Sequence, residues 1–227
     1  MLKESFYDSK IVKKPWGYEY VCYRDKKKIA LTFLNINFKK KTSLHCHPRK
    51  KTGFILLEGK AKIQLGLWES TSKIYKPPSK LMIRTGLFHC IQSLSKNGVK
   101  AIEFETPVLK NDLVRYQDSY GRRSKPYEGK SFTKSLGRND IIFNKPRINK
   151  SQNFTFGKVN LSLEVHKNFK KILKNKMSTI FGVLGGQVVD KKGRNILSEG
   201  DIIKLGTFKK LSKYFKIKKH LTLIVVK

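Results

Sequence analysis

The feature that most constrains this chain is a succession of short β-type segments. Each is rich in Val, Ile, Leu or Phe and ends at Gly, Pro, Asn or a charged turn. They are KIALTFLNINF (28–38), GFILLEG (53–59), AKIQLGLW (61–68), LMIRTG (81–86), KAIEFETP (100–107), KVNLSLEV (158–165), TIFGVLGG (179–186), DIIKLG (201–206) and LTLIVV (221–226). Many short strands at regular spacing predict an all-β antiparallel sandwich or barrel. The stretch NFKKILKNKM (168–177) reads either as a short basic helix or as a loop entering a strand.

Residues 124–150 have a linker composition of Gly, Pro, Ser and Asn. They divide the chain into an N-terminal unit, 1–123, and a C-terminal unit, 151–227. The two blocks carry a weak internal likeness. Phe54–Ile63 parallels Phe181–Asp190, and Ile83–Ile91 parallels Ile203–Leu211. A two-unit architecture is therefore expected.

The 227 residues include 50 Lys or Arg against 16 Asp or Glu, a formal charge of +34. That balance first suggests nucleic acid. Two details argue against it. Lysines number 41 and arginines only 9, whereas base-reading and phosphate-clamping surfaces favour the planar Arg fork. The charge is also spread over both blocks rather than gathered in a stripe, which suits compositional drift. With 39% hydrophobic residues the chain can build a core, so charge-driven disorder is excluded. No apolar run reaches the ~18–20 residues of a membrane helix. The start, MLKESFYDSK, lacks an apolar signal region. Three cysteines, Cys22, Cys46 and Cys90, are too few and odd in number for a disulfide framework. A cytoplasmic location is expected.

The chemistry is concentrated in histidines. In Ser43-Leu-His-Cys-His47, two histidines stand at i and i+2. On a strand, both rings then point to one face. His89 follows on a separate predicted strand after the Gly86 turn. Three neutral imidazoles with an open position make a catalytic-type site for a divalent transition metal: Zn, Mn or Fe. Cys46 and Cys90 are out of phase with their histidine neighbours and read as core.

This pattern resembles the cupin superfamily, whose first motif is HxH, then Glu, then Gly, and whose second carries the next histidine. His45, His47, Gly59 and His89 match, and Thr52 stands at the Glu position. Residues 14–122 more closely resemble the cupin unit of type II mannose-6-phosphate isomerases and related surface-polysaccharide proteins. The resemblance is carried by Lys14-Pro-Trp-Gly-Tyr18, by the HxH segment with Phe54…Gly59-Lys-Ala-Lys-Ile63, and by Gly86-Leu-Phe-His89. Its most specific part is Asn111-Asp-Leu-Val-Arg-Tyr-Gln-Asp-Ser-Tyr-Gly-Arg122. It implies a double-stranded β-helix (jelly roll), with the second unit a degenerate one. It also implies work on a sugar phosphate or nucleotide sugar in polysaccharide or lipopolysaccharide synthesis.

An aldose–ketose isomerase needs a base to move a proton between adjacent carbons. Glu103 and Glu105, at i and i+2 on one strand face, are the candidates. Arg49, Arg115 and Arg122 are the candidates to bind an anionic group bidentately. In the second block the aligned positions are Ile172, Lys174 and Lys209, so no metal site is expected there. Two alternatives stand beside the isomerase. One is a non-catalytic cupin that binds an anionic sugar or polyanion. The other is an Fe(II)-dependent dioxygenase, which an all-histidine site can support. The expected partner is an anionic small sugar rather than nucleic acid, and a homodimer is expected by analogy.

Overall fold

The computed structural model describes residues 9–109, 111–122 and 130–227. Its N-terminal strands are β1 (Lys10–Lys14), β2 (Gly17–Asp25), β3 (Ile29–Ile36), β4 (Leu44–Cys46), β5 (Lys51–Glu58) and β6 (Ala61–Leu65). Next come β7 (Lys73–Tyr75), β8 (Ser79–Ile83), β9 (His89–Ser93), β10 (Val99–Thr106), β11 (Val114–Gln117) and β12 (Thr133–Ser135). The C-terminal block holds β13 (Gln152–Phe156), β14 (Val159–His166), helix α1 (Lys170–Leu173), β15 (Ile180–Val189), β16 (Ile202–Lys204), helix α2 (Leu205–Leu211) and β17 (Lys216–Val226).

These strands form three antiparallel sheets. Sheet I runs β12-β1-β2-β3-β10-β5-β8, sheet II runs β11-β4-β9-β6-β7, and sheet III runs β13-β14-β17-β15-β16. From β3 to β10 the chain passes back and forth between sheets I and II. β3, β5, β8 and β10 lie in sheet I, while β4, β6, β7 and β9 lie in sheet II. That alternation is the strand order of a double-stranded β-helix, and the chain is an all-β protein of this class.

Strand periodicity explains the layering. On β10, Val99 and Ala101 face sheet II, while Ile102 and Phe104 face sheet III. On β5, Phe54 and Leu56 face sheet II, while Ile55 and Leu57 face the other way. Sheet I is thus covered on both faces, and its central strands read as nearly continuous apolar runs. The layers approach closely at Gly182, where an added Cβ would stand 2.3 Å from the Phe104 ring. Gly59 ends β5 at φ +81°, with its missing Cβ 2.1 Å from the Gly98 carbonyl oxygen. Only glycine fits that turn.

Sheet III carries a second apolar layer on its far face, where Phe181, Val183, Leu221 and Leu223 pack under Ile172 of α1 and Phe208 of α2. The segment 168–177 therefore becomes one helical turn followed by a turn into β15. The expected parallel between Ile83–Ile91 and Ile203–Leu211 ends early, because 205–211 is helical where its counterpart is a turn entering β9. Leu205 and Phe208 are the reason: at i and i+3 on one helix face, both are buried.

In the linker, residues 124–129 lie outside the described residues. Its remainder hugs the body of the protein. β12 pairs with β1, and Ile141 and Phe143 are buried in the layer between sheets I and III. Among the described residues no helix is long and apolar enough to cross a membrane.

Candidate metal centre

His45 and His89 are directly opposite each other on β4 and β9. His47 follows just beyond β4, one strand period away. The candidate ligand atoms of His45, His47 and His89 lie within 4.8 Å of one another, and no other such group of His, Cys, Asp or Glu occurs among the described residues. The second block offers none: Ile172 is buried in α1 and Lys209 lies in α2.

Each ring is oriented by a backbone carbonyl. Nδ1 of His45 donates to Ser43 O at 2.8 Å, Nδ1 of His47 to Asp112 O at 2.5 Å, and Nδ1 of His89 to Leu87 O at 3.1 Å. A carbonyl can only accept, so the proton sits on Nδ1 and the lone pair is left on Nε2. Nε2 of His47 and Nε2 of His89 are shut from solvent without a hydrogen-bond partner. Carbonyl-braced Nδ1 on all three rings, unpartnered Nε2 on His47 and His89, and candidate ligand atoms within 4.8 Å of one another suit a transition metal held by three imidazoles.

Burial and mutual repulsion keep these rings neutral. Desolvation first, then the neighbouring rings, hold His45 well below its usual range. Desolvation, with Lys50 adding to it, brings His47 down to about 4, and desolvation with His47 brings His89 down to about 3. In the unfolded chain they titrate near 6.5. Below that pH the unfolded state binds more protons, so stability falls as pH drops. Glu103 shifts the opposite way, one group against three. Chelator-treated protein should therefore melt several degrees lower at pH 5 than at pH 7 in thermal denaturation. An equal melting temperature would contradict neutral burial of the triad.

A cavity of about 100 Å³ faces the histidines and is also lined by Lys14, Trp16, Glu19, Lys50, Glu103, Glu105, Arg115 and Arg122. The face of β10 that bears Glu103 and Glu105 is thus the inner one. Their environments differ. Glu105 is ion-paired with Lys50 and accepts a hydrogen bond from Thr32 at 3.4 Å. Although burial opposes ionisation, Lys50 holds Glu105 below the usual carboxylate range. Burial, then repulsion from Glu105, pushes Glu103 well above it. Thr52 lies directly across from Glu105 on β5.

The arginines separate. Arg115 and Arg122 reach the cavity. Arg122 is tied to Asp118, with Nη2 to Oδ1 at 2.7 Å and the Arg122 backbone N–H to Oδ2 at 2.7 Å. Arg49 points away from the cavity: its side chain is 66% exposed and pairs with Asp112.

Two residues in this site escaped sequence reading. Lys50 has only 4% of its side chain exposed, yet it looks like any other lysine in a lysine-rich chain. Asp112 accepts the backbone N–H of Arg49 and of Lys50, at 3.0 and 2.7 Å, while its carbonyl holds His47. It fixes the turn after the HxH segment. Its place inside the Asn111–Arg122 signature was the available signal.

No family model matches the sequence, and no curated protein does. Among solved structures the chain is similar to an uncharacterized conserved protein with a double-stranded beta-helix domain from Klebsiella pneumoniae. That match has 11% identity and a TM-score of 0.38, over 42% of this chain and 76% of that one. It is similar to the capsular polysaccharide assembling protein CapF of Staphylococcus aureus, at 12% identity and TM-score 0.43, over 48% of this chain and 34% of that one. It is also similar to KdgF from Halomonas sp., at 12% identity and TM-score 0.37, over 42% and 84%. The match spans about a third of the capsule protein's own length.

Proposed function

We propose that the protein is a metal-dependent cupin enzyme that isomerises a sugar phosphate or nucleotide sugar, in the manner of a mannose-6-phosphate isomerase, for polysaccharide or lipopolysaccharide synthesis. One observation carries this reading: the three clustered imidazoles share a cavity with two carboxylates, Glu103 and Glu105, whose proton affinities are pushed in opposite directions by burial and by Lys50. Carboxylates whose environments push them apart suit separate acid and base work. A divalent metal held by His45, His47 and His89 would polarise the substrate's oxygens. Glu105, kept ionised by Lys50, takes the proton from one carbon and returns it to the next. Glu103, kept protonated, gives its proton to the carbonyl oxygen and recovers one from the neighbouring hydroxyl. Arg115, whose Nη1 donates to the Arg122 carbonyl at 3.3 Å, would bind the anionic group from the cavity wall. Residues 151–227 serve as the degenerate second unit, a metal-free sheet covering the outer face of sheet I.

A second reading, a non-catalytic binding cupin, is favoured by Thr52 at the Glu position and by the engagement of Arg122 with Asp118. The test combines metal analysis with turnover. Purified protein should hold about one metal per chain. It should convert mannose 6-phosphate, or another member of a sugar-phosphate and nucleotide-sugar panel, in a reaction lost on chelation. Thermal stabilisation by those ligands without turnover would replace the first reading with the second. Oxygen uptake with Fe(II) would replace it with a dioxygenase.

A further inference from the structure

The outer face of sheet II holds a second cleft, on the opposite side of the sheet from the histidines. His89 and Ile91 face inward, while the intervening Cys90 and Gln92 face this cleft. Its volume is about 310 Å³. Two aromatic rings flank it: Trp68, 75% exposed, and Tyr116, 45% exposed. Two exposed aromatic rings that flank one concavity, rather than standing singly, are the kind of surface that marks a ligand-binding groove.

Neither ring hangs on a loose chain. The Trp68 carbonyl accepts the backbone N–H of Thr71 at 3.1 Å and its hydroxyl at 2.7 Å. The Gln64 amide donates to the carbonyls of Gly66 and Leu67, both at 3.1 Å, which braces the same hairpin. Tyr116 leans edge-on against Phe88, with centroids 5.8 Å apart. Apart from Leu67 and Cys90 the rest of the lining is polar, and it includes the amides of Gln92 and Gln117 and the side chain of Gln64, whose amide N–H group is already engaged in that bracing. Ser72 Oγ, also in the lining, is shut from solvent without a hydrogen-bond partner.

We infer that this cleft is a saccharide-binding site, separate from the metal centre. A pyranose ring presents apolar C–H faces and an equator of hydroxyls. Rigid, exposed indole and phenol rings match the faces, and planar amides that both donate and accept match the hydroxyls. Charge argues against a nucleic-acid occupant. On a chain of net +34, the cleft's charged lining is Lys41, Lys62 and Glu69, and Lys62 is ion-paired with Glu69 at 2.5 Å. A strand of phosphates would meet little countercharge here.

The test uses an array of bacterial surface polysaccharides and their oligosaccharides, with poly(U) RNA as a polyanion control. It compares wild-type protein, Trp68→Ala and Tyr116→Ala. At least one saccharide should bind the wild type, bind either variant at least tenfold more weakly, and bind chelator-stripped protein unchanged. Bound saccharide should also protect tryptophan fluorescence from iodide, because Trp16 is buried and Trp68 is the exposed member of the chain's two tryptophans. Metal content should be the same in all three proteins, which separates this site from the catalytic reading. An array with no hit, or a hit insensitive to Trp68→Ala, would overturn the inference. Trp68-dependent binding of poly(U) alone would replace the saccharide with single-stranded nucleic acid.

Discussion

His89→Ala should abolish stoichiometric metal binding while leaving a folded protein. His89 is paired with His45 across β4 and β9, and its Nε2 points without a partner into the space the triad shares. Losing a supporting group behind a ligand typically costs about 10–100-fold in metal affinity. Losing the ligand itself should exceed that, leaving two imidazoles and an open side. Chelation should lower the melting temperature of the wild type, because a metal bound only by the folded state stabilises it. It should not change that of His89→Ala. The substitution also removes one member of a repelling cluster, so the metal-free variant should be less acid-sensitive than the metal-free wild type. Zinc titration by calorimetry, with elemental analysis, reads the result. Unchanged stoichiometry and affinity would rule out the triad as the metal site.

Lys50→Met should have the second large effect, and of a different kind. Lys50 and Glu105 form an ion pair well inside the site. Breaking a buried pair from one side leaves a desolvated charge and typically costs roughly 3–5 kcal/mol. Glu105 should limit that cost, without cancelling it, by taking up a proton. The base of the proposed reaction would then be neutral at pH 7, and the acidic limb of the pH–rate profile should move to higher pH. Metal content should stay at the wild-type level, since Lys50 is not a ligand. Adding Glu105→Gln removes the stranded charge, so the double variant should recover much of the stability that Lys50→Met loses. A thermal-denaturation double-mutant cycle gives this coupling. Strictly additive single effects would sink the pairing argument. Retained metal with an unshifted pH profile would leave Lys50 a structural role only.

The two predictions involve residues of unequal visibility in the sequence. His45 and His47 were legible because a strand's side-chain period of two places i and i+2 on one face, whatever the strand pairs with. Glu103 and Glu105 were legible as a pair for the same reason. Which face they shared was not, because that depends on sheet I lying between sheets II and III. Lys50 was invisible among 41 lysines, and its burial follows from meeting Glu105, 55 residues away in the chain. Arg49 shows the converse. It sits one residue from Lys50 in the motif region, and the turn clamped by Asp112 points it to solvent. In the second block, strand patterning was plain, but α2 was hidden by its position in the apparent repeat. Leu205 and Phe208 declare a helical face only once sheet III offers a surface to cover.

Alone, then, the sequence determined an all-β chain, two rings on one strand face, and a charge too dispersed to mark a partner. These follow from covalent geometry and composition, which act over a few residues. The tertiary structure decided that His89 lies against His45, that Lys14 and Lys50 out of 41 lysines line the site, that proton affinity is pushed up at Glu103 and down at Glu105, and that Trp68 and Tyr116 frame one cleft. All of these depend on strand order and register. Dielectric, pairing and exposure are set by neighbours distant in the chain, and no local pattern encodes them.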